Sequence, residues 1–155
     1  MKLLAIVKSK HLGNTMQIAE AMAEMAPLSV ADMDDLKYYN ISEYDAVGFG
    51  SGIYFGKHDK DLLEYVKKAA NLPEYAFVFS TSGTGNVKDN KTLIKLLEEK
   101  NIKVLGSFCC KALDQFFIFK LGGGINKGRP DEKDFDAAQA FIQDVVKACE
   151  AEKNN

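Results

Sequence analysis

The chain has 155 residues, of which 46% are hydrophobic and 27% are charged, and its net charge is −2 at pH 7. This length and composition predict one globular domain with a buried core, and they exclude a strongly basic nucleic-acid-binding protein. The apolar run Leu3 to Val7 near the N-terminus is too short for a signal-peptide core or a membrane span. We therefore expect a cytoplasmic protein in which residues 1–150 form a single domain and residues 151–155 a polar tail.

Five short apolar runs, typical of buried strands, alternate with segments of helical apolar spacing. The predicted strands are Leu3 to Val7, Pro27 to Val30, Asp45 to Phe49, Tyr75 to Phe79 and Ile102 to Phe108. The segment Ala31 to Tyr44 is too short and irregular to predict a long helix. A last helix is expected to start near Pro130, because acidic residues follow it at the positive end of the helix dipole. This alternation predicts an α/β fold, a three-layer doubly wound sheet of five parallel strands.

The loop after the first predicted strand has the composition of a phosphate-binding loop. Its sequence "SKHLGNT" (residues 9–15) combines hydroxyl and amide side chains with a glycine just before a predicted helix. Ligands of doubly wound sheets bind outside the carboxyl ends of the strands, where this loop lies. Ser9, Asn14 and Thr15, with the N–H groups of the helix start, suit a phosphate, and Gly13 allows close approach. A tight turn with an Asn or Thr helix cap is the alternative interpretation.

Two further glycine-rich loops follow the third and fourth predicted strands. Residues 50–58, "GSGIYFGKH", frame an aromatic pair with glycines, and residues 80–86, "STSGTGN", are small and polar. Glycines let backbone press against a flat ring that an aromatic side chain covers, and the polar loop offers N–H and C=O groups to the ring edge. Each loop alone could be an ordinary surface turn. One bound molecule with a phosphate and a planar ring explains all three loops.

Other phosphate-binding and catalytic classes lack their motifs in this sequence. The first loop has neither the Gly-Lys-Ser/Thr of a P-loop nor the GxGxxG spacing of a dinucleotide fold. The acidic residues of a receiver domain are absent from the strand ends, and the stretch "GSG" (residues 50–52) lacks nucleophile-elbow spacing. Cys109, Cys110 and Cys149 have no metal-ligand spacing, so we interpret them as reduced structural cysteines, with a Cys109–Cys110 redox pair as the alternative.

With these three loops, the chain resembles the flavodoxin family, which binds flavin mononucleotide (FMN), over nearly its full length. The resemblance implies five parallel strands in the order 2-1-3-4-5. It also implies cofactor-binding residues in each loop: Ser9, His11, Leu12, Gly13, Asn14 and Thr15 at the phosphate; Ser51, Gly52, Ile53, Tyr54, Phe55 and Gly56 beside the isoalloxazine ring; Thr81, Ser82 and Gly83 at its other edge. Tyr54 or Phe55 would stack on the ring. The carbonyl of Gly56, or of Gly52 as second choice, would turn toward flavin N5.

The resemblance implies an FMN flavoprotein that transfers electrons to or from a redox partner protein or a small-molecule acceptor, without a catalytic acid or base. Carrier flavodoxins are usually strongly acidic, whereas this chain carries only −2 and places Lys57 and His58 where acidic residues often lie beside the ring. We therefore predict a less negative potential for the second electron. Six basic residues between positions 100 and 129 accompany only one acidic residue, Asp114. Near the flavin they would favour an anionic partner or substrate; otherwise they form a solvated face.

A second resemblance implies an enzyme. The stretch "GSGIYFGKHDKDLLEYVKK" is similar to the corresponding region of flavodoxin-type protoporphyrinogen oxidases, which pass electrons to quinones. The alternative function is thus an FMN-dependent oxidoreductase acting on a quinone or porphyrinogen-type substrate. The segment Lys111 to Arg129, with Phe116 to Phe119 between basic residues, would then contact the substrate or a membrane surface, or it packs over the sheet edge. A third interpretation is an interaction module that has lost its cofactor.

Overall fold

A computed structural model describes residues 1–9, 13–112 and 128–155 of the chain. The long strands of its central sheet run parallel: β1 (Leu3–Lys8), β2 (Leu28–Asp32), β3 (Ala46–Tyr54), β5 (Tyr75–Ser82) and β6 (Lys103–Lys111). A two-residue strand, β4 (Lys57–His58), pairs antiparallel with the end of β3. The order β2-β1-β3-β5-β6 confirms the predicted α/β fold and, with β4 left out, the expected order 2-1-3-4-5.

Helices cover both faces of this sheet. Within the described residues they are α1 (Asn14–Ala23), α2 (Lys60–Lys68), α3 (Lys91–Glu99) and α4 (Glu132–Lys153). The connection from β2 to β3 contains two 3-10 helices, Met33–Tyr38 and Ile41–Glu43, in place of a long helix, as its irregular sequence predicted. A third 3-10 helix, Val87–Asn90, leads into α3.

Successive side chains of β1 enter two separate core layers, because neighbouring residues of a strand point to opposite faces of the sheet. Leu3, Ala5 and Val7 lie in the layer shared with α1 and α4, whereas Leu4 and Ile6 lie in the layer shared with α2 and α3. Burial on both faces explains why the strand is a continuous apolar run in the sequence.

Gly48 and Gly50 of β3 make room for two aromatic rings of the neighbouring strand. A Cβ atom at Gly48 would lie 2.2 Å from ring atoms of Phe77, and one at Gly50 would lie 2.1 Å from a ring atom of Phe79. Both rings are completely buried. The middle of β3 therefore accepts no side chain larger than hydrogen at these positions without displacing an aromatic residue of the core.

The strands are longer than their apolar runs predicted. β3 continues to Tyr54 and β5 to Ser82, although residues 50–54 and 80–82 were expected to be loops. Their small polar residues still pair in the sheet, with Gly52 opposite Thr81. The apolar run of each strand ends before its backbone pairing ends. The last residues of the strand approach the solvent-facing edge of the sheet, but their backbone groups stay hydrogen-bonded to the neighbouring strands.

The last helix begins at Glu132, close to the predicted start near Pro130, and Asp131 and Asp134 form a capping box there. Its end differs from the sequence-based prediction. It continues to Lys153, so residues 151–153 of the expected polar tail are helical. The Lys153 ammonium forms an ion pair with Asp45, which holds the end of the helix against the rest of the domain.

Candidate functional site

The ends of β1, β3 and β5 bring the three predicted segments together at one edge of the sheet. Lys8, the last residue of β1, is paired with Ser51 in β3, and Gly52 is paired with Thr81 in β5. Ser9 follows Lys8 directly along the chain. The structure thus places the start of the first loop, the end of β3 and the end of β5 side by side, where doubly wound folds bind their ligands.

The first loop enters α1 through a glycine in the left-handed region. Gly13 has a φ of 68° and is the N-cap residue of α1, and within the described residues no side chain caps the helix. Asn14 and Thr15 are instead the first two residues of the helix, so the alternative interpretation of an Asn- or Thr-capped turn is wrong. A Cβ atom at Gly13 would meet no described atom within 4 Å. His11 and Leu12 lie outside the described residues.

Two hydroxyl groups at this edge differ in their surroundings. Ser9 Oγ is buried and has no hydrogen-bond partner among the described residues. Thr15 is only 2% exposed, and its Oγ1 lies 2.8 Å from Oγ1 of Thr81. A hydroxyl carries one proton, so one threonine donates to the other and the accepting threonine keeps its proton for a further partner. A buried hydroxyl without a partner costs about 1–3 kcal/mol, which makes Ser9 Oγ a candidate ligand contact.

The end of β3 forms a β-hairpin with β4, where the sequence predicted a loop. Ile53 and Tyr54 pair with the two residues of β4. The turn residues Phe55 and Gly56 have φ values of 53° and 81°. Positive φ at both central positions is typical of a type I′ turn, whose twist matches that of the flanking strands. The Phe55 ring at the tip is completely exposed.

Ser51 holds the base of this hairpin. Its Oγ donates to the Gly52 carbonyl at 2.7 Å and accepts from the Asp59 N–H at 2.9 Å, and the residue is completely buried. The hydroxyl is therefore used within the protein, and the backbone of Ser51 pairs with β1 on one side and β5 on the other. Tyr54 folds back along the strand, since a Cβ atom at Gly52 would lie 3.0 Å from Tyr54 Oη.

His58 is buried under the hairpin and carries no charge at neutral pH. Its Nε2 donates to the Phe79 carbonyl at 2.9 Å, and Nδ1 has no hydrogen-bond partner among the described residues. Burial lowers the pKa of His58 to about 4, and the hydrogen bond to Phe79 only partly opposes this shift. Of Lys57 and His58, which stand where acidic residues were expected beside the ring, Lys57 is therefore the one that adds positive charge.

The buried histidine predicts an acid-sensitive fold. His58 stays neutral in the folded protein down to about pH 4, whereas its ordinary pKa in the unfolded chain is 6.5. Between these values the unfolded state binds more protons, so the free energy of unfolding falls as the pH decreases. We expect a loss of about 2 kcal/mol between pH 7.5 and pH 5, measured by urea denaturation. The His58→Gln variant should lose clearly less, and an equal loss in both proteins would contradict this account.

Ser82 and a second left-handed glycine shape the loop after β5. Ser82 Oγ accepts from the Gly85 N–H at 2.9 Å, and Gly85 has a φ of 65°. A Cβ atom at Gly85 would lie 2.8 Å from Cγ of Lys111, so the loop closely approaches the end of β6. Ser82 and Gly83 are half-buried at the surface of this edge, while Thr81 is buried against Thr15. The backbone of this loop is thus held in place for contacts with a ligand.

Asn90 is a buried residue at this edge that the sequence analysis missed. Its Oδ1 accepts from Ser80 Oγ at 2.6 Å, and its Nδ2 donates to Ser107 Oγ at 2.9 Å and to the Phe108 carbonyl at 3.0 Å. The amide therefore links β5 to β6 beneath the loop after β5. A polar residue just before a helix gives no sequence signal for this role, because its partners come from two separate strands.

The described basic residues from position 100 to position 129 lie at the two ends of β6. Lys100 Nζ donates to the Lys67 and Ala69 carbonyls, and Lys103 pairs with Glu152, all at the amino end of β6. Lys111 lies at its carboxyl end, beside the candidate site, and Arg129 lies close enough to Cys110 at the same end to lower the pKa of that thiol.

The rest of the stretch adds little free charge within the described residues. Arg129 forms a two-pronged ion pair with Asp134. Most of the segment assigned to an alternative substrate, including Phe116 to Phe119, lies outside the described residues. Lys100 and Lys103 therefore lie away from the candidate site, and the interpretation that the stretch brings positive charge near the flavin does not hold for these two residues.

The three cysteines are free thiols with raised pKa values. Burial, with a smaller contribution from the Asp134 carboxylate, raises the pKa of Cys110 to about 12. Burial also raises the pKa of the Cys109 and Cys149 thiols. Protonated thiols are poor nucleophiles, which agrees with the structural role predicted for them.

Residues 1–9, 13–112 and 128–155 contain no cluster of three His, Cys, Asp or Glu side chains placed to hold a metal ion. In the same ranges, none of the helices combines the length and the apolar character that crossing a membrane requires.

Comparison with known proteins identifies the family. A family model described as a flavodoxin domain matches residues 4–121. An uncharacterised protein of Methanocaldococcus jannaschii is 40% identical over 149 residues, which cover 95% of this chain and 99% of the relative. The chain therefore belongs to the flavodoxin family, whose fold implies a flavin cofactor, typically FMN.

Solved structures share the fold at low sequence identity. A flavodoxin from the domain Archaea has a TM-score of 0.69 and 16% identity, covering 97% of this chain and 99% of its own. Flavodoxin 1 of Bacillus cereus has a TM-score of 0.66 and 19% identity, covering 95% and 98%. The rubredoxin oxygen:oxidoreductase of Desulfovibrio gigas, with a TM-score of 0.67 and 16% identity, matches 99% of this chain but 37% of its own. These likenesses show the fold alone.

Proposed function

We propose that this protein is a cytoplasmic electron carrier that binds one FMN noncovalently at the carboxyl edge of β1, β3 and β5. The observation that carries the proposal is Ser9 Oγ, a buried hydroxyl without a described partner at the point where the three segments converge. The flavin supplies the redox chemistry, since it accepts and releases electrons one or two at a time. The side chains bind it, orient it and set the charge around it.

The first loop suits the phosphate of FMN. Ser9 Oγ and the N–H groups of the first turn of α1 are donors, and the positive end of the helix favours an anion. Gly13 suits close approach of a phosphate to its backbone, because it has a left-handed conformation and no described atom lies within 4 Å of its Cβ position. Thr15 can donate to the phosphate when Thr81 donates to Thr15. The residues present therefore fit a phosphate monoester.

The hairpin and the loop after β5 suit the flavin ring. Tyr54 and Phe55 supply aromatic surface, and the exposed Phe55 ring lies at the tip of the turn. Gly56 has the φ of 81° that favours glycine, and we propose that its carbonyl faces flavin N5. Ser82 and Gly83 would offer backbone groups to the opposite edge of the ring.

The two aromatic residues of the hairpin should differ in their contribution to FMN binding. Only one ring can lie flat on a given face of the flavin, so the Tyr54→Ala and Phe55→Ala variants are expected to differ at least about fivefold in the dissociation constant. Fluorescence titration with FMN measures both constants. Equal losses would mean that neither residue stacks alone and that the assignment of the stack to this turn is wrong.

Titration and anaerobic reduction of the purified protein test the proposed function. We expect saturable binding of one FMN per chain and reduction in two separate one-electron stages. Reduction in a single two-electron stage, together with quinone or porphyrinogen turnover in the absence of a partner protein, would replace the carrier by the alternative oxidoreductase. A chain that binds no FMN would contradict both functions and support the interaction module.

A further inference from the structure

Beside the candidate FMN site, five exposed lysines gather on the side of the sheet that α2 and α3 cover. β4 lies against the 3-10 helix Val87–Asn90 and against α3, and α2 packs beside α3. These elements bring their carboxyl-edge residues to one corner of the molecule. The lysines of this corner, which we call the basic corner, are Lys57, Lys60, Lys88, Lys91 and Lys111.

Few carboxylates balance this charge. Near the lysines, Asp59 is buried, Asp89 is half-buried and Asp61 is exposed. The other exposed carboxylates of α2 and α3 lie farther along these helices, since Glu64 pairs with Lys68 and Glu98 and Glu99 end α3. None of the five lysines forms an ion pair with any residue that the structure describes. In contrast, Lys68 and Lys103, which lie away from this edge, each pair with a glutamate. The basic corner therefore presents positive charge that the described part of the chain leaves uncompensated.

The placement of Lys60 and Lys91 works against local helix stability. Each is the first residue of its helix, at the positive end of the helix dipole, where acidic residues are favoured. The first turn of α3 contains no acidic residue, and no side chain of the described residues caps it. Sequences depart from such local preferences mainly where function requires it, which points to a role outside folding.

Apolar side chains lie within the same corner. Phe55 is completely exposed at the hairpin tip next to Lys57, and Val87 is 49% exposed next to Lys88. An apolar centre with a charged rim is the usual composition of a protein-binding surface. A uniformly charged surface without such anchors would suit a small anion equally well.

We propose that the basic corner is the docking surface for an acidic redox protein, with Phe55 and Val87 as its apolar contacts. The identity of the partner as a redox protein rests on the proposed function, whereas its acidic surface is inferred from the lysines alone. Opposite charges would accelerate the encounter and orient the partner toward the flavin edge. Each reduced FMN would pass two electrons, one to each of two single-electron acceptors, and release its protons to solvent.

Native and succinylated cytochrome c form a matched pair of probes, since succinylation replaces lysine charges by carboxylates and keeps the fold and the haem. The FMN-loaded protein is reduced with dithionite, freed of excess reductant, and mixed with either ferric probe in a stopped-flow instrument. At roughly 10 mM ionic strength we expect the succinylated probe to be reduced about tenfold faster than the native one. At about 1 M salt the two rates should converge, because the Debye length falls to about 3 Å.

Two double variants of equal charge change test the location. Lys88→Glu/Lys91→Glu should abolish the preference for the succinylated probe, whereas Lys133→Glu/Lys147→Glu, on α4 at the opposite face, should retain it. Lys133 and Lys147 are both exposed. Equal rates with the two probes, a faster rate with native cytochrome c, or equal effects of the two double variants would overturn the proposal.

Binding without electron transfer separates this inference from the proposed function. Oxidised succinylated cytochrome c is added to the 15N-labelled chain with and without FMN, and amide shifts are expected at residues 55–60 and 87–91. These shifts in a chain that binds no FMN would contradict the proposed function and leave the docking surface standing. The proposal is wrong, and the basic corner is a membrane site, if phosphatidylglycerol vesicles bind in a way that depends on Lys88 and Lys91 while succinylated cytochrome c does not bind.

Discussion

Replacing Ser9 by alanine is expected to raise the dissociation constant of FMN about ten- to hundredfold, because a hydrogen bond to a charged phosphate contributes about 1.5–3 kcal/mol. The same change should leave the stability of the FMN-free protein unaltered or slightly higher, since Ser9 Oγ is buried without a described partner. FMN titration measures the affinity, and urea denaturation of the FMN-free protein measures the stability. Weaker FMN binding together with unaltered or slightly higher stability indicates a hydroxyl that binds the ligand.

Two further variants make the Ser9 result interpretable. Thr15→Val should also weaken FMN binding, but it should destabilise the FMN-free protein, because it leaves Thr81 Oγ1 without its partner at 2.8 Å. Ser29→Ala changes an exposed hydroxyl of β2 and should alter neither quantity. An unchanged FMN affinity in Ser9→Ala would remove Ser9 from the phosphate site and with it the observation on which the proposed function rests.

Replacing Gly50 by alanine is expected to lower the free energy of unfolding by roughly 3 kcal/mol, at the upper end of the usual cost of overpacking. The new Cβ atom would lie 2.1 Å and 2.4 Å from two ring atoms of Phe79, which is completely buried in the core. The shift of the urea midpoint, at constant slope, measures this loss. Weaker FMN binding should accompany it, because Gly50 leads into the hairpin.

Gly106 is the matched control for this effect. A Cβ atom there would lie 2.9 Å from the nearest ring atom of Phe141, which is half-buried and can turn aside. We therefore expect Gly106→Ala to cost clearly less than Gly50→Ala. In the Phe79→Leu background, Gly50→Ala should cost less than it does alone, since the two sites share one contact. Equal costs at positions 50 and 106 would contradict the packing argument.

The spacing of apolar residues was enough to predict the fold class, because this sheet is buried on both faces. Leu3 to Val7 is continuously apolar for that reason, and the alternation with helical segments leaves a parallel sheet as the simple solution. The ends of β3 and β5 were misjudged because residues such as Gly52 and Ser82 pair through their backbone, which hydrophobicity does not report.

The candidate site was only partly predictable. Parallel topology implies that Ser9, Tyr54 and Thr81 come to the same edge, since all the strands end there. The sequence did not show which hydroxyl has a hydrogen-bond partner within the protein and which has none among the described residues. The contacts of each residue with FMN stay predictions. The sequence placed His58 near the ring, but its burial and its hydrogen bond to the Phe79 carbonyl on another strand did not follow from the sequence.

By itself, the sequence determined the order of strands and helices, the two-faced burial of the sheet and the position of three unusual loops along the chain. These properties depend on local spacing and on the chemistry of neighbouring residues. Only the tertiary structure decided that Thr15 bonds to Thr81, that His58 is neutral, and that Ser9 Oγ is left without a described partner. It also decided which lysines gather at one corner. Burial, pairing and charge depend on residues distant in sequence, and folding alone brings those residues together.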